Sequence, residues 1–254
     1  MITSLTRWGT DGPPVVLLHG WTMRGAVWDA VARHLPARAL APDLPGHGAT
    51  TGYPLSIEGA ATQLHDLLTH EDLRDVTLVG WSLGALVGWH YLARNGARVG
   101  RMISIDMSPR PMPAPGWAHA MTGLSTANAP RSARRFTTDW PAAARAIART
   151  MLAPGADPAL IDRAERMAAA NDPATMAAFW SALIQTDLRA DIATLPAPLL
   201  AIHGARSRVY PPDTANWLAS AAPDGRALIL PGAGHSPLLE TPVALAQAIA
   251  TLLP

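Results

Sequence analysis

A short aliphatic run, Val76–Val79, passes directly into Gly80-Trp81-Ser82-Leu83-Gly84 and then into an apolar helical pattern over 83–94. A strand that turns so sharply into a helix strains the backbone at the turn and leaves room only for small neighbours. Gly80 and Gly84 are those neighbours, and Ser82 stands at the turn between them. The turn also aims the helix N-terminus at the oxyanion that would develop beside Ser82. A hydroxyl presented in this way is a candidate nucleophile; the plainer alternative is a serine that caps the helix.

The same strand-to-helix rhythm recurs along the chain. Val15–Leu18, Met102–Ile105, Leu199–Ile202 and Ala227–Leu230 are continuous apolar runs that end at glycine, aspartate or proline. They read as strands buried on both faces. Helical patterns lie between them at 25–34, 57–69, 213–221 and 242–253. The fold class is therefore α/β, with a mostly parallel central sheet and helices on both faces. From Met107 to Arg189 no strand pattern occurs; prolines at 109, 111, 113 and 115 give way to residues rich in Ala and Arg. This stretch reads as an inserted helical cap, 107–189, within a core formed by 1–106 and 190–254.

Composition narrows the function. Of the 254 residues 49% are hydrophobic, which allows a sizeable core, and the net charge of +1 gives no general pull toward nucleic acid or membrane. There is no Cys, so disulfides, thiol catalysis and thiolate metal sites are excluded. No HExxH or phosphate-loop pattern occurs, so neither metal nor nucleotide cofactor is expected. No apolar run approaches the roughly 20 residues of a membrane span, and the start of the chain lacks a signal-peptide pattern. The expectation is a soluble cytoplasmic protein.

A serine nucleophile needs a base and an oxyanion site. His235, in Gly232-Ala233-Gly234-His235-Ser236-Pro237 after the last strand, is the candidate base. The backbone N–H groups of Leu83 and of Trp21, in His19-Gly20-Trp21 after the first buried strand, are the candidate oxyanion donors. Trp81 and His19 are expected at the substrate pocket. His47 and His203 also fall at strand ends; for His19 and His47, hydrogen bonding to loop backbone is the plainer role. The cap carries Met107, Met112, Trp117, Met121, Leu124, Phe136, Trp140, Met151, Met167, Met176, Phe179 and Trp180; some should face a pocket for an apolar acyl or alcohol group, although most should simply pack.

Outside the cap the chain resembles the α/β-hydrolase family. The resemblance rests on His19-Gly20-Trp21, Asp43-Leu44-Pro45-Gly46-His47-Gly48, the Gly80–Gly84 elbow and the His235 loop. It implies a cofactor-free carboxylic ester hydrolase acting on a small or medium apolar ester through a Ser82 acyl-enzyme. The elbow and the oxyanion loop also look like those of the pimeloyl-acyl carrier protein methyl ester esterases. In those enzymes cap arginines dock an acidic carrier protein, so Arg131, Arg134, Arg135, Arg145 and Arg149 form a parallel, with a solvated helix face as the plainer reading.

The chain departs from the family at the third catalytic group. The usual acid would occupy the position of Ser207 in His203-Gly204-Ala205-Arg206-Ser207-Arg208-Val209-Tyr210-Pro211. Asp106, at the end of the preceding strand, is the candidate for a relocated acid, as in some lipases and haloalkane dehalogenases of this fold. Two alternatives stand beside it: no acid at all, or one supplied by Asp187 or Asp213. Arg206 and Arg208 are expected to make the Ser207 position more cationic. The rival functions are enol-lactone hydrolysis or perhydrolysis at the same site, and a degenerate ligand-binding protein.

Overall fold

The computed structural model describes Met1 and residues 3–254. The strands, in chain order, are β1 Leu5–Trp8, β2 Pro14–Leu18, β3 Arg38–Pro42, β4 Val76–Trp81, β5 Val99–Ile105, β6 Leu199–Gly204 and β7 Gly225–Leu230. They form one seven-stranded sheet in the order β1-β3-β2-β4-β5-β6-β7. β1 runs antiparallel to β3, and every other pairing is parallel.

The helices are α1 Asp29–Ala32, α2 Ile57–His70, α3 Leu83–Asn95, α4 Ala129–Thr138, α5 Trp140–Met151, α6 Pro158–Ala169, α7 Pro173–Gln185, α8 Arg189–Ile192, α9 Thr214–Ala221, α10 Pro237–Glu240 and α11 Pro242–Ala250. Between β5 and β6 the described residues hold α4 to α8 and no strand. Asp139, Asp157 and Asp172 start α5, α6 and α7 by accepting hydrogen bonds from backbone N–H groups of the first turn. A proline follows each in the first turn, where its missing N–H costs nothing.

Alternation along the strands divides the core in two. Val15, Leu17, Val79, Ile103 and Ile105 face one layer with Val31, Leu245 and Ile249 of α1 and α11. Val16, Leu18, Leu78 and Met102 face the other, with Leu64, Leu86 and Leu218 of α2, α3 and α9. Both faces are covered, which is why these strands are continuous apolar runs rather than alternating ones.

The observed elements differ from the sequence pattern in several places. β1 and β3 lie outside the expected strands. β3 is Arg-Ala-Leu-Ala-Pro, small and without β-branched residues, and β1 is an edge strand with only partial burial. The expected helix at 25–34 is a 3₁₀ turn, Gly25–Trp28, followed by the four-residue α1. Gly25 presses on the Ala41 carbonyl, and its N–H donates to Asp43 Oδ1 at 2.7 Å, so the chain is tied down before a full helix can form. The last helix stops at Ala250, short of the expected 253.

α3 crosses β2 so closely that a Cβ at Gly84 would collide with the Leu18 carbonyl. Backbone cannot move aside as a flexible side chain can, so Gly84→Ala should cost about 1–3 kcal/mol of stability. An unchanged denaturant midpoint in this variant would contradict that packing.

Candidate active site

Ser82 joins β4 to α3 with φ 52° and ψ −118°, a backbone conformation rare outside glycine. A Cβ at Gly80 would stand 2.5 Å from Gly84 backbone atoms, so the turn tolerates no larger residue there. The Ser82 side chain makes no capping hydrogen bond to α3, which removes the plain capping role. Its backbone N–H donates instead to the Ile105 carbonyl at 2.9 Å. That bond ties the turn to the end of the neighbouring strand.

Asp106 follows that strand end, fully buried and at φ 45°. Its N–H donates to the Ile202 carbonyl at 2.8 Å, which holds the residue against β6. Three donors converge on its carboxylate. His235 Nδ1 lies 2.8 Å from Oδ1, Ser207 Oγ donates to the same oxygen at 2.8 Å, and the Gly204 N–H donates to Oδ2 at 3.0 Å. Burial pushes the carboxyl pKa up. The His235 hydrogen bond, the nearby His203 and His235 rings and the Gly204 N–H outweigh burial together, and the net shift is downward. An ionised carboxylate only accepts, so Nδ1 is the donor, and Nε2 is the acceptor nitrogen of the neutral ring.

The two arginines that flank Ser207 direct their guanidinium groups to backbone carbonyls. The Arg206 guanidinium turns away to the Pro154 carbonyl, and Arg208 to the carbonyls of Arg149 and Leu152. These carbonyls lie in and just beyond the last turn of α5, the negative end of the helix, which attracts cations. Asp187 and Asp213 are also engaged elsewhere. Asp187 pairs with Arg110 and Arg189, and its pKa falls to about 2, chiefly through the Arg189 hydrogen bond. Asp213 is exposed and accepts from Asn216.

His235 is held by its own loop. Trp81 Nε1 donates to the His235 carbonyl at 2.7 Å, and Ser236 Oγ donates to the Met151 carbonyl at 3.0 Å. Glu240 receives the Gly234 N–H at 2.8 Å. On the opposite side, the Gly20–Met23 turn brings the candidate oxyanion loop to the serine. A Cβ at Gly20 would lie 3.2 Å from Ser82 Cβ. The Met23 N–H closes the turn on the Gly20 carbonyl at 3.1 Å, with Thr22 at φ 68°. Neither the Trp21 nor the Leu83 N–H has a backbone acceptor among the described residues.

A cavity of about 250 Å³ opens on Ser82 and His235. Trp21, Trp81, Phe136 and Trp180 form aromatic walls, Met121, Ile147 and Met151 add aliphatic surface, and Arg135 is the one arginine in the lining. Other cap residues expected as candidates pack instead: Met107, Met176 and Phe179 are fully buried. His19 also falls outside the cavity wall. Its Nε2 accepts from the Leu44 N–H at 2.8 Å while Nδ1 donates to the Gly20 carbonyl at 2.8 Å. Fully buried, the ring joins the loops after β2 and β3, so backbone bonding displaces the expected pocket role.

The sequence reading missed Asn171, whose side chain reaches the Thr22 carbonyl, and the donor role of Ser207. Neither has a local pattern that could reveal it. No group of three or more metal-ligating side chains occurs among the described residues, and no helix there is long and apolar enough to cross a membrane.

An alpha/beta hydrolase family model matches residues 15–248. A pimeloyl-[acyl-carrier protein] methyl ester esterase of Aromatoleum aromaticum is 33% identical over 241 residues, covering 91% of this chain and 94% of the relative. One of the same description from Chromobacterium violaceum is 31% identical, covering 91% and 90%. The esterase of Exiguobacterium antarcticum superposes with a TM-score of 0.91 at 19% identity, covering 98% of this chain and 94% of that one, a likeness of fold.

Burial lowers the pKa of His19 to about 4 and of His47 to about 3, from 6.5. Both rings stay neutral in the fold, whereas an unfolded chain takes up their protons below about 6.5. Their stabilising effect is complete above that pH and declines as the pH falls toward 4. Thermal unfolding followed from pH 7 to pH 4 should show a falling midpoint, with a shallower slope in His47→Leu.

Proposed function

This chain belongs to the alpha/beta hydrolase family, and from that premise we propose that it hydrolyses carboxylic esters through an acyl-enzyme on Ser82. The observation that carries the reading is the 2.8 Å contact between His235 Nδ1 and the buried Asp106 carboxylate, beside a cavity that His235 shares with Ser82. Ser82 Oγ attacks the ester carbonyl carbon while His235 Nε2 takes its proton. The oxyanion receives the N–H groups of Trp21 and Leu83 as the tetrahedral centre forms. His235 then returns the proton to the departing alcohol, and a water molecule repeats the sequence to release the acid. Asp106 remains ionised throughout; it orients the ring and stabilises its cation. Ser207, at the family's usual acid position, donates to the relocated acid. A degenerate binding protein without an acid is the weaker reading, because a carboxylate does face the base.

For the substrate we favour a methyl ester on a pimeloyl-type acyl chain linked to an acyl carrier protein. The relatives named above support it, as do the apolar cavity walls. On the cap, Arg145 pairs with Glu165, while Arg131, Arg134, Arg135 and Arg149 have no acidic partner among the described residues. An acidic carrier would meet unpaired cations there.

A fluorophosphonate probe should label Ser82 in the wild type and leave Ser82→Ala unlabelled. Asp106→Asn should lower kcat on p-nitrophenyl esters by about 10⁴-fold, as loss of a triad acid does. Adding Ser207→Asp to that variant should restore part of the activity. An Asp106→Asn enzyme of wild-type activity would remove Asp106 from the mechanism. For the substrate, the carrier-linked methyl ester should be cleaved with higher kcat/KM than free dimethyl pimelate; equal values would sink the carrier reading.

A further inference from the structure

The loop that carries Trp21 belongs to the core by sequence, but its hydrogen bonds run to the cap. Trp21 Nε1 donates to the Met176 carbonyl of α7 at 3.0 Å. Asn171 Nδ2 donates to the Thr22 carbonyl at 2.7 Å, and the Arg24 guanidinium reaches the Ala170 carbonyl at 3.3 Å. Asn171 sits in the corner between α6 and α7, only 7% exposed. The same amide nitrogen approaches the carbonyls of Met167 and Ala168 at 3.0 Å each. Those carbonyls lie at the end of α6, where Ala168 also accepts from the Asn171 backbone N–H at 3.2 Å. One side chain therefore closes the corner and grips the loop.

The grip matters because the loop is strained. Thr22 is β-branched, yet it holds φ 68° in the position of the turn that usually takes glycine. Such a conformation persists only where surrounding contacts over-determine it. Besides the bond that closes the turn, the Thr22 peptide accepts a hydrogen bond from the Asn171 amide. The Trp21 ring meanwhile lies 5.0 Å from Phe136 and 5.2 Å from Trp180, centroid to centroid, and those two rings also line the cavity.

We infer that the α6–α7 corner of the cap is part of the oxyanion apparatus, with Asn171 as a positioning residue. An ester whose acyl chain fills the cavity against Phe136 and Trp180 thereby gains turnover and not merely binding. The inference rests on the role proposed for the Trp21 N–H. Contacts made by the remote acyl chain press on the same rings that hold Trp21, so their binding energy is expressed at the reacting carbonyl. An acetyl group has no chain to fill the cavity and gains less from those rings.

The test compares kcat and KM for p-nitrophenyl acetate and p-nitrophenyl hexanoate. The wild type should show a higher kcat on hexanoate. Asn171→Ala should lose about tenfold in kcat on hexanoate, a fraction of the effect of deleting an oxyanion donor, and less on acetate. The hexanoate-to-acetate ratio then falls toward one while KM stays within about twofold. A folding defect alone would lower both rates equally and leave the ratio unchanged. A wild-type ratio preserved in Asn171→Ala, a loss confined to KM, or a wild type with no preference in kcat would overturn the inference. If Asn171→Ala does not fold, Trp21→Phe decides: it keeps an aromatic ring but loses the bond to Met176, and an unchanged ratio there is equally fatal. Fluorophosphonate labelling separates the two levels. A wild type that takes the label and turns over both esters leaves only the coupling at stake, whereas one that does neither overturns the ester-hydrolase reading as well.

Discussion

The buried carboxylate of Asp106 is the interaction on which the rest of the site depends. It has no access to water, so its charge persists only while donors from the protein replace the solvent. Those donors come from two separate segments: the His235 loop, and the turn after β6 that supplies both the Gly204 N–H and the Ser207 hydroxyl. The carboxylate therefore fixes more than one imidazole. It clamps the chain after β5, the turn after β6 and the loop after β7 around a single charge. Gly204 permits this closeness, since a Cβ there would collide with the Gly234 carbonyl.

The parallel sheet makes such a cluster possible. Strands β4, β5, β6 and β7 are neighbours that run in the same direction, so the residues after them emerge at one edge. Ser82, Asp106, Ser207 and His235 are far apart in the chain and adjacent at that edge. Moving an acid from the turn after β6 to the turn after β5 shifts it by one strand spacing, about 4.8 Å. A pivot of the imidazole between adjacent strand ends can absorb a step of that size, so the change of position keeps the acid within reach of His235.

The cap contributes both walls and support. Its rings form much of the cavity, and its α6–α7 corner holds the loop with the Trp21 N–H. The arginines beside the Ser207 turn brace the end of α5 instead of crowding the carboxylate. Cap and core are thus joined next to the reacting centre by backbone carbonyls on one side and side-chain donors on the other.

The sequence by itself determined the layered α/β architecture, the turn at Ser82 and the loop that carries His235. Each is written in local chemistry: aliphatic runs for strands buried on both faces, glycines where backbone passes close to backbone, a histidine after the last strand. Two strands escaped notice because β3 is made of small residues and β1 is a half-exposed edge. Only the tertiary structure decided the partners. Which acid faces His235, which way Arg206 and Arg208 turn, that His19 serves loop backbone and that Asn171 reaches the Thr22 carbonyl all depend on contacts between segments distant in sequence. Hydrogen bonds of that kind leave no periodicity or spacing in the chain; they exist only once the sheet has brought its strand ends together.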